Sequence, residues 1–285
     1  MGGKRRNPNS KKPLLIGLAG GSGSGKTHLA RQIKAGAGMA ETGHECVSIL
    51  SMDQYFIHEN LEHSGRHKVN FDHPAHINFS QMIRDLKALK KGQSVWTPSY
   101  DFVEMKSQPD AIFVEARPVV IVEGLFVLSD PMHHWLDLTC YLDVAPDQRL
   151  LGRILRDIKE RGTTIEEIVD RYQRFVRPAY DIFVAPTKHN ADVVVDFTYR
   201  RALFAEMLTH IARDYVIGDL DGETFLANVR KETYHIGYRP EEGTMPVSVD
   251  IIKLAKAYPP SMIPHGVPED VQESASLFIK TNHSG

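Results

Sequence analysis

Cysteine is nearly absent from this chain, with two in 285 residues. Cys46 and Cys140 stand far apart in apolar runs and match no metal or redox spacing. That excludes a disulfide-stapled scaffold and a cysteine zinc site, and reads as two buried, reduced thiols in a cytoplasmic protein. An excess of one charge is lacking too. Lys and Arg total 34 against 36 Asp and Glu, so the basic surplus of a nucleic-acid binder is missing. No apolar run approaches the roughly 18 residues that span a bilayer, and no secretory signal is visible. Neither nucleic acid nor membrane is expected as a partner. Residues 1–13, opening MGGKRRNPNSKK, read as a basic, flexible leader. Arg6 stands where a myristoylation motif starting at Gly2 wants Ser or Thr.

What is present is an alternation. Short β-branched runs at 14–19, 46–51, 119–122, 140–144 and 191–197 are separated by helical patterns. The first helix opens at Lys26, and others span 79–91, 146–161, 164–184 and 201–215. This predicts an α/β fold, a five-stranded parallel sheet flanked by crossover helices. Phe79, Met82, Ile83, Leu86 and Leu89 recur at helical spacing, and Gly92 is placed to end their helix. Thr164 and Glu167 form a capping box for the next. Residues 93–117 read as an edge β-hairpin turning at Lys106–Asp110, with Pro98 arguing against a central strand. After Gly218 the prolines at 240, 246, 259, 260, 264 and 268 interrupt any long element. Residues 218–285 therefore read as an irregular C-terminal extension of unassigned role, and 14–217 as the principal domain.

The chemistry begins at Gly20-Gly21-Ser22-Gly23-Ser24-Gly25-Lys26-Thr27, a complete Walker A pattern between a buried-strand run and a helix start. Its glycines let backbone N–H groups curl around phosphate oxygens. Lys26 can reach the β- and γ-phosphates, and the Thr27 hydroxyl can ligate Mg²⁺. The pattern implies a nucleoside-triphosphate site, with the donor's base left open. A GTP switch is disfavoured, because Thr187-Lys188-His189-Asn190 lacks the aspartate that such a switch carries. A small-molecule kinase needs a carboxylate near the γ-phosphate. Asp53, at the end of the second strand, is placed for that role, its rival reading being a helix cap. Glu123, ending VVIVEG, is a candidate Mg²⁺ partner or else a plain turn acid. Arg149, Arg153 and Arg156 form one helix stripe with Arg161 beyond it. They read either as solvated surface or as neutralisers of a transferring phosphoryl group.

Together these pieces resemble the uridine–cytidine kinases. The resemblance runs from about Leu14 to Val195 through GGSGSGKT, SMDQYF, NFDHP, PSYDFVEM, IVEG, RILRDIKERG and FVRPAYDIFVAPTKHNADVVV. It implies ATP and Mg²⁺ as cofactors, a ribonucleoside 5′-hydroxyl as acceptor, the hairpin as part of the nucleoside pocket, and a homotetramer. It further implies Asp53 as general base, Glu123 as the Mg²⁺ partner, and Asp72, beside Phe71, as the carboxylate on the ribose hydroxyls. Arg153 falls near the sugar, Arg156 and Arg161 are lid arginines facing the phosphates, and Tyr100 and Phe102 hold the base.

Three positions depart from that pattern. Met105 replaces a histidine that touches the pyrimidine edge, Thr163 replaces an arginine that contacts the base, and Arg171 stands where a glutamine precedes Tyr172. The catalytic set is complete and the base-reading set is not. The expectation is a pyrimidine ribonucleoside kinase with altered base recognition. Two rivals stay open: a relative acting on a phosphorylated sugar, pantothenate or another nucleoside, and a nucleotide-binding interaction module that uses the extension. The histidines at 58, 63, 67, 73 and 76 fit no compact zinc spacing and read as a polar loop over the acceptor pocket. His133 and His134 are a loop pair with no stated partner.

Overall fold

The structure, a computed structural model, describes residues 12–39, 45–57, 70–231, 234–236, 251, 256 and 257. Residues 1–11 of the leader, His58, His63, His67 and the prolines from 240 onward lie outside the described residues. The chain runs β1 (Leu14–Ala19), α1 (Lys26–Ala37), β2 (Val47–Ser51), α2 (Phe79–Lys90), β3 (Val95–Asp101), β4 (Lys106–Val114), β5 (Val119–Glu123) and β6 (Leu138–Asp143). There follow α3 (Pro146–Arg161), α4 (Ile165–Arg171), α5 (Arg177–Ala179), β7 (Val193–Asp196), α6 (Arg201–Ile217), α7 (Gly222–Lys231) and β8 (Tyr234–Ile236).

The central sheet is parallel, in the order β2-β5-β1-β6-β7-β8. Its middle strands are buried on both faces, which is why they read as continuous apolar runs. Leu14, Ile16 and Leu18 of β1 face one core with Leu29 and Ile33 of α1 and Leu208 of α6. Leu15, with Val120 and Val122 of β5, faces the other core with Met82, Leu86 and Leu89 of α2. The predicted periodicity of α2 is thus its buried face, and Gly92 follows its end with a left-handed φ of 78°. Cys46 and Cys140 are both buried. No helix among the described residues is long and apolar enough to cross a membrane.

Three features differ from the sequence reading. The extension does not begin irregularly: α7 and β8 follow Gly218, and β8 adds a sixth parallel strand beside β7, with Val193 opposite Tyr234. Three residues carry too little periodicity to announce a strand, and pairing supplies what pattern cannot. The hairpin forms its own two-stranded antiparallel sheet, and it turns at residues 102–105 rather than at Lys106–Asp110. Asp101 pairs with Lys106 and Tyr100 with Ser107, and a bulge between Thr97 and Ser99 takes up Pro109 and Asp110. Pro98 and Pro109 fall together in that unpaired interval, where neither missing N–H weakens the ladder. The capping box of Thr164 and Glu167 forms as expected, but the helix it starts is not uniform. Two π-helical turns, Tyr172–Val176 and Tyr180–Val184, flank α5. Pro178 has no N–H to give the Arg174 carbonyl, and the backbone widens around it instead, with Arg177 N–H donating to Tyr172 O.

The helix α3 lands on the turn that follows β1. Gly23 has a φ of 81°, and a side chain there would strike the Arg149 carbonyl oxygen at 2.1 Å. From the opposite side, a methyl group on Gly152 would come within 2.7 Å of the Gly23 oxygen. A Gly-to-Ala change inside a helix ordinarily gains about 1 kcal/mol, whereas forcing a carbon into close-packed backbone costs about 1–3 kcal/mol. Gly152→Ala is therefore expected to lower stability by up to about 2 kcal/mol, seen as a lower denaturant midpoint at unchanged m value. A more stable variant would mean that α3 can lift from the loop at little cost.

Candidate active site

Parallel strands in the order β2-β5-β1 bring three chain ends to one edge of the sheet, the carboxyl edge where ligands of open α/β sheets gather. The loop from Gly20 leaves β1, Glu123 ends β5, and Ser51 ends β2 in register with Glu123. The Glu123 carboxylate is buried. Its Oε1 accepts hydrogen bonds from Ser51 Oγ at 2.6 Å and Thr27 Oγ1 at 3.1 Å. Burial, and then the nearby Asp53 carboxylate, push its pKa above the ordinary value; Lys26 and the two hydroxyls oppose that shift. Lys26 is buried as well and its ammonium donates to the carbonyls of Gly20 at 2.9 Å and Gly21 at 3.0 Å. Desolvation lowers its pKa, resisted by Glu123 and Asp53.

Asp53 sits in a short 3-10 turn, Met52–Tyr55, whose N-cap is Ser51. Its backbone N–H approaches Ser51 Oγ at 3.4 Å. The rival reading of Asp53 as a cap is thereby removed, because Ser51 is the cap, and the charge of Asp53 acts on Lys26, Glu123 and Arg161. Hydroxyl and carboxylate oxygens with no nitrogen or sulfur among them are a donor set that suits a hard cation such as Mg²⁺.

The arginine stripe is not solvated surface. Arg149 and Arg153 are 4% and 3% exposed. The guanidinium of Arg149 lies 3.6 Å from the centroid of Tyr180, and its Nε donates to Val144 O. Arg153 Nη1 donates to Ser22 Oγ of the loop at 2.8 Å and stands 3.3 Å from Asp72 Oδ2. Sequence reasoning missed the residue that gathers the others, Asp157. Its carboxylate meets Arg153 at 3.3 Å, Arg156 at 2.8 Å and Arg161 at 3.5 Å. Burial alone would raise its pKa, but Arg156, Arg153 and Arg161 together hold it below the ordinary value. Arg161 is lowered to about 10, by desolvation first and the neighbouring Arg156 second. It stays cationic at neutral pH. The visible signal for Asp157 was its spacing, four residues from both Arg153 and Arg161 on one helix.

Beyond Asp72 lies an aromatic cluster. Tyr100 and Phe102 of the hairpin contact each other at 4.9 Å between centroids and both contact Phe71 at 6.2 and 6.0 Å. Phe56, which the sequence reading passed over, stands 5.3 Å from each hairpin ring. A planar ring in contact on both faces needs about 7 Å between its neighbours, so no slot for a base stands open between these rings. Cations lie on the cluster: Arg161 at 4.2 Å from the Phe102 centroid and Arg171 at 5.2 Å from that of Phe71. The Tyr100 hydroxyl is buried and makes no hydrogen bond among the described residues. Met105 closes the hairpin turn with a φ of 56° and packs on the same core. Thr163 follows the left-handed Gly162 and spends its N–H on the Asp157 carbonyl. Ser22, Arg153 and Asp72 thus link the phosphate loop to the segment carrying Phe71, on which Tyr100 and Phe102 of the hairpin pack. His73 is drawn inward instead, buried against Phe183 at 4.8 Å.

Breaking a buried ion pair by removing one partner costs about 3–5 kcal/mol. Asp157→Asn is expected near the low end, about 3 kcal/mol, because Arg156 and Arg161 keep some solvent contact. A depressed carboxylate pKa stabilises above the ordinary carboxylate range, and that stability is lost as pH falls through the folded value. The gap between wild type and Asp157→Asn should therefore be full at neutral pH and close only in acid. Denaturant titrations at both pH values check it.

Comparison with known proteins agrees with this geometry. The chain matches the Phosphoribulokinase / Uridine kinase family over residues 15–203. A uridine kinase of Clostridium novyi (strain NT) is 38% identical over 186 residues, covering 65% of this chain and 87% of that protein. Another, from Geobacillus kaustophilus (strain HTA426), is 39% identical over 187 residues, 65% of this chain and 86% of the relative. Among solved structures, a possible uridine kinase from Bacillus stearothermophilus has a TM-score of 0.48 at 21% identity, covering 66% of this chain and 90% of that one. The chain belongs to the phosphoribulokinase/uridine kinase family and is a phosphotransferase that acts on a hydroxyl group.

Proposed function

We propose that the chain transfers the γ-phosphoryl group of ATP to the 5′-hydroxyl of a pyrimidine ribonucleoside, uridine or cytidine. The observation that carries this reading is the pairing of two carboxylate stations, each with one buried acid, Glu123 in the first and Asp72 in the second. Glu123 and Asp53 flank Lys26 at the phosphate loop, and Asp72, steered by Arg153, stands beside the aromatic cluster. The uridine kinases among the relatives of this chain support it.

In this mechanism the backbone N–H groups of residues 20–27 hold the triphosphate, and Lys26 exchanges its loop carbonyls for phosphate oxygens. Thr27 and Glu123 would hold Mg²⁺, which when bound neutralises charge on the phosphates. Asp53 takes the proton of the acceptor hydroxyl as that oxygen attacks the γ-phosphorus in line. The bond to the β-phosphate oxygen breaks and ADP leaves. Asp72 accepts hydrogen bonds from the ribose hydroxyls, while Tyr100, Phe102 and Phe71 take the base. Arg156 and Arg161 close over the transferring group and exclude the water that would hydrolyse ATP. Cys46 and Cys140, buried as thiols, suit a cytoplasmic setting for this chemistry.

A second reading, another hydroxyl acceptor of the same superfamily, is favoured by Met105, Thr163 and Arg171. Methionine has no usable donor, and Arg171 puts a cation on Phe71. ATP consumption with Mg²⁺ against uridine, cytidine, other nucleosides, pantothenate and ribulose 5-phosphate separates the two. Turnover of uridine or cytidine that falls at least about a hundredfold in Asp53→Asn is the expected result; turnover confined to another acceptor sinks the pyrimidine assignment.

The triple change Met105→His, Thr163→Arg and Arg171→Gln tests the base-reading positions. Each buried hydrogen bond restored is worth roughly 1–3 kcal/mol, so kcat/KM for uridine should rise about tenfold or more. No rise, with ATP affinity unchanged, removes these residues from base recognition.

A further inference from the structure

A second cluster lies at the opposite end of the sheet. The chain between β5 and β6 passes Asp130, His133 and His134 before β6 begins at Leu138, so the cluster sits at the amino edge of strands whose carboxyl edge carries the phosphate loop. Asp130 Oδ1 stands 2.9 Å from His133 Nδ1 and 2.8 Å from His134 Nε2. All three atoms lie within 4.8 Å of one another. Two imidazoles therefore crowd one carboxylate oxygen.

An ordinary reading is a histidine–aspartate ion pair, and the His133 contact argues against it. His133 Nδ1 is buried and has no hydrogen-bond partner among the described residues, although Asp130 Oδ1 is at bonding distance. The N–H direction and the oxygen are misaligned. Ligand atoms converging on a third point have that geometry, since each lone pair aims at the shared centre and not at its neighbour. With Zn–N and Zn–O bonds of about 2.0–2.2 Å, the ligands of one tetrahedral zinc lie roughly 3.3 Å apart, so seating an ion would widen the present 2.9 and 2.8 Å separations by roughly half an ångström.

The backbone that carries these groups is fixed. His133 N–H and Met132 N–H both donate to Ser129 O, Leu136 N–H donates to His133 O, and Asn190 Nδ2 donates to Leu128 O. His133 and His134 open onto a cavity of about 250 Å³ that Thr139, Asp192 and Arg230 also line. The nearby charges are engaged elsewhere: Asp192 Oδ2 accepts from Thr139 N and Oγ1, each at 2.8 Å, and Arg230 Nη2 donates to Asp137 O at 3.0 Å. His134, 64% exposed at its side chain, leaves one side accessible to solvent.

We propose that Asp130 Oδ1, His133 Nδ1 and His134 Nε2 form a three-ligand site for a divalent first-row transition ion of the zinc type, with water completing its shell. Two imidazole nitrogens select such an ion over Mg²⁺, which takes oxygen ligands. Its ion would cross-link residues 130–134 within the segment that leads into β6 and, at the far edge of the sheet, takes no part in phosphoryl transfer. The inference is independent of the acceptor's identity.

The test is a calorimetric titration of the full-length, metal-stripped chain with ZnCl₂, in nucleotide-free buffer containing excess Mg²⁺. His134→Ala, Asp130→Asn and a control lacking His58, His63 and His67 are titrated beside it. Wild type and control should each bind one zinc equivalent in this site. Because even outer-shell changes weaken metal sites about 10–100-fold, loss of the His134 ligand should weaken binding at least about tenfold. Zinc should also raise the unfolding temperature of wild type and control but not of His134→Ala, through preferential binding to the folded state. His134 is exposed, so its alanine variant keeps the fold, and unchanged ATP turnover verifies that. Absence of zinc binding by wild type overturns the proposal. So does binding equally tight in His134→Ala and Asp130→Asn, or binding lost only with the three control histidines.

Discussion

The approach of Gly23 to Gly152 is the constraint on which the rest of the site depends. A phosphate loop needs bare backbone so that its N–H groups can surround an anion, and that bare surface also lets a helix come down on it. The Gly23 oxygen sits where a side chain on Gly152 would be. With α3 held at that distance, Arg149 rides against Gly21 and Arg153 reaches Ser22. A helix held one side chain farther off would carry the same arginines out of reach. Close approach of two glycines thus converts a helix face into the roof of the loop.

That roof brings an electrostatic problem with it. Buried cations are costly unless paired. Here Lys26 faces Glu123 and Asp53, Arg153 faces Asp72, and Arg153, Arg156 and Arg161 share Asp157. Arg149 is held differently, by the Val144 carbonyl and the Tyr180 ring. The cations are nearly balanced by the site's own acids, with Asp157 serving three at once. A triphosphate therefore does not enter a bare positive field. It competes for cations already partnered, and Lys26, whose ammonium rests on loop carbonyls, is the one that loses least by turning to it.

Much of this was legible in the residues, and what was not has physical causes. The phosphate loop, the five strands and the capping box are local patterns in which spacing alone fixes geometry. Asp53 and Glu123 could be placed because strand ends in a parallel sheet meet at one edge. The arginine stripe stayed open between two readings because burial is set by what lies opposite, and Arg149 and Arg153 look no different in sequence from the exposed members of a helix. Asp157 was hidden among other charges for the same reason. The hairpin turn shifted from Lys106–Asp110 to residues 102–105 because a Pro-Asp pair can fill a bulge as well as a turn. The strand β8 is three residues long and exists by pairing with β7.

The aromatic cluster and the arginine roof meet in one side chain. Arg161 lies on Phe102 while its charge is felt by Asp157, Arg156 and Asp53. The four rings leave no open slot, so a base held there, as proposed, would have to part them or displace the cation beside Phe102. Either movement disturbs Arg161, and through Asp157 it reaches Arg156 and Arg153. On that proposal, entry of the acceptor would be coupled to the arginines over the phosphate loop through contacts already formed. Arg161 shares Asp157 with Arg153 and Arg156, so it can move away without leaving that acid unpaired. Lysine in that position would give up the guanidinium contact with the Phe102 face and with it the link between the two halves of the site.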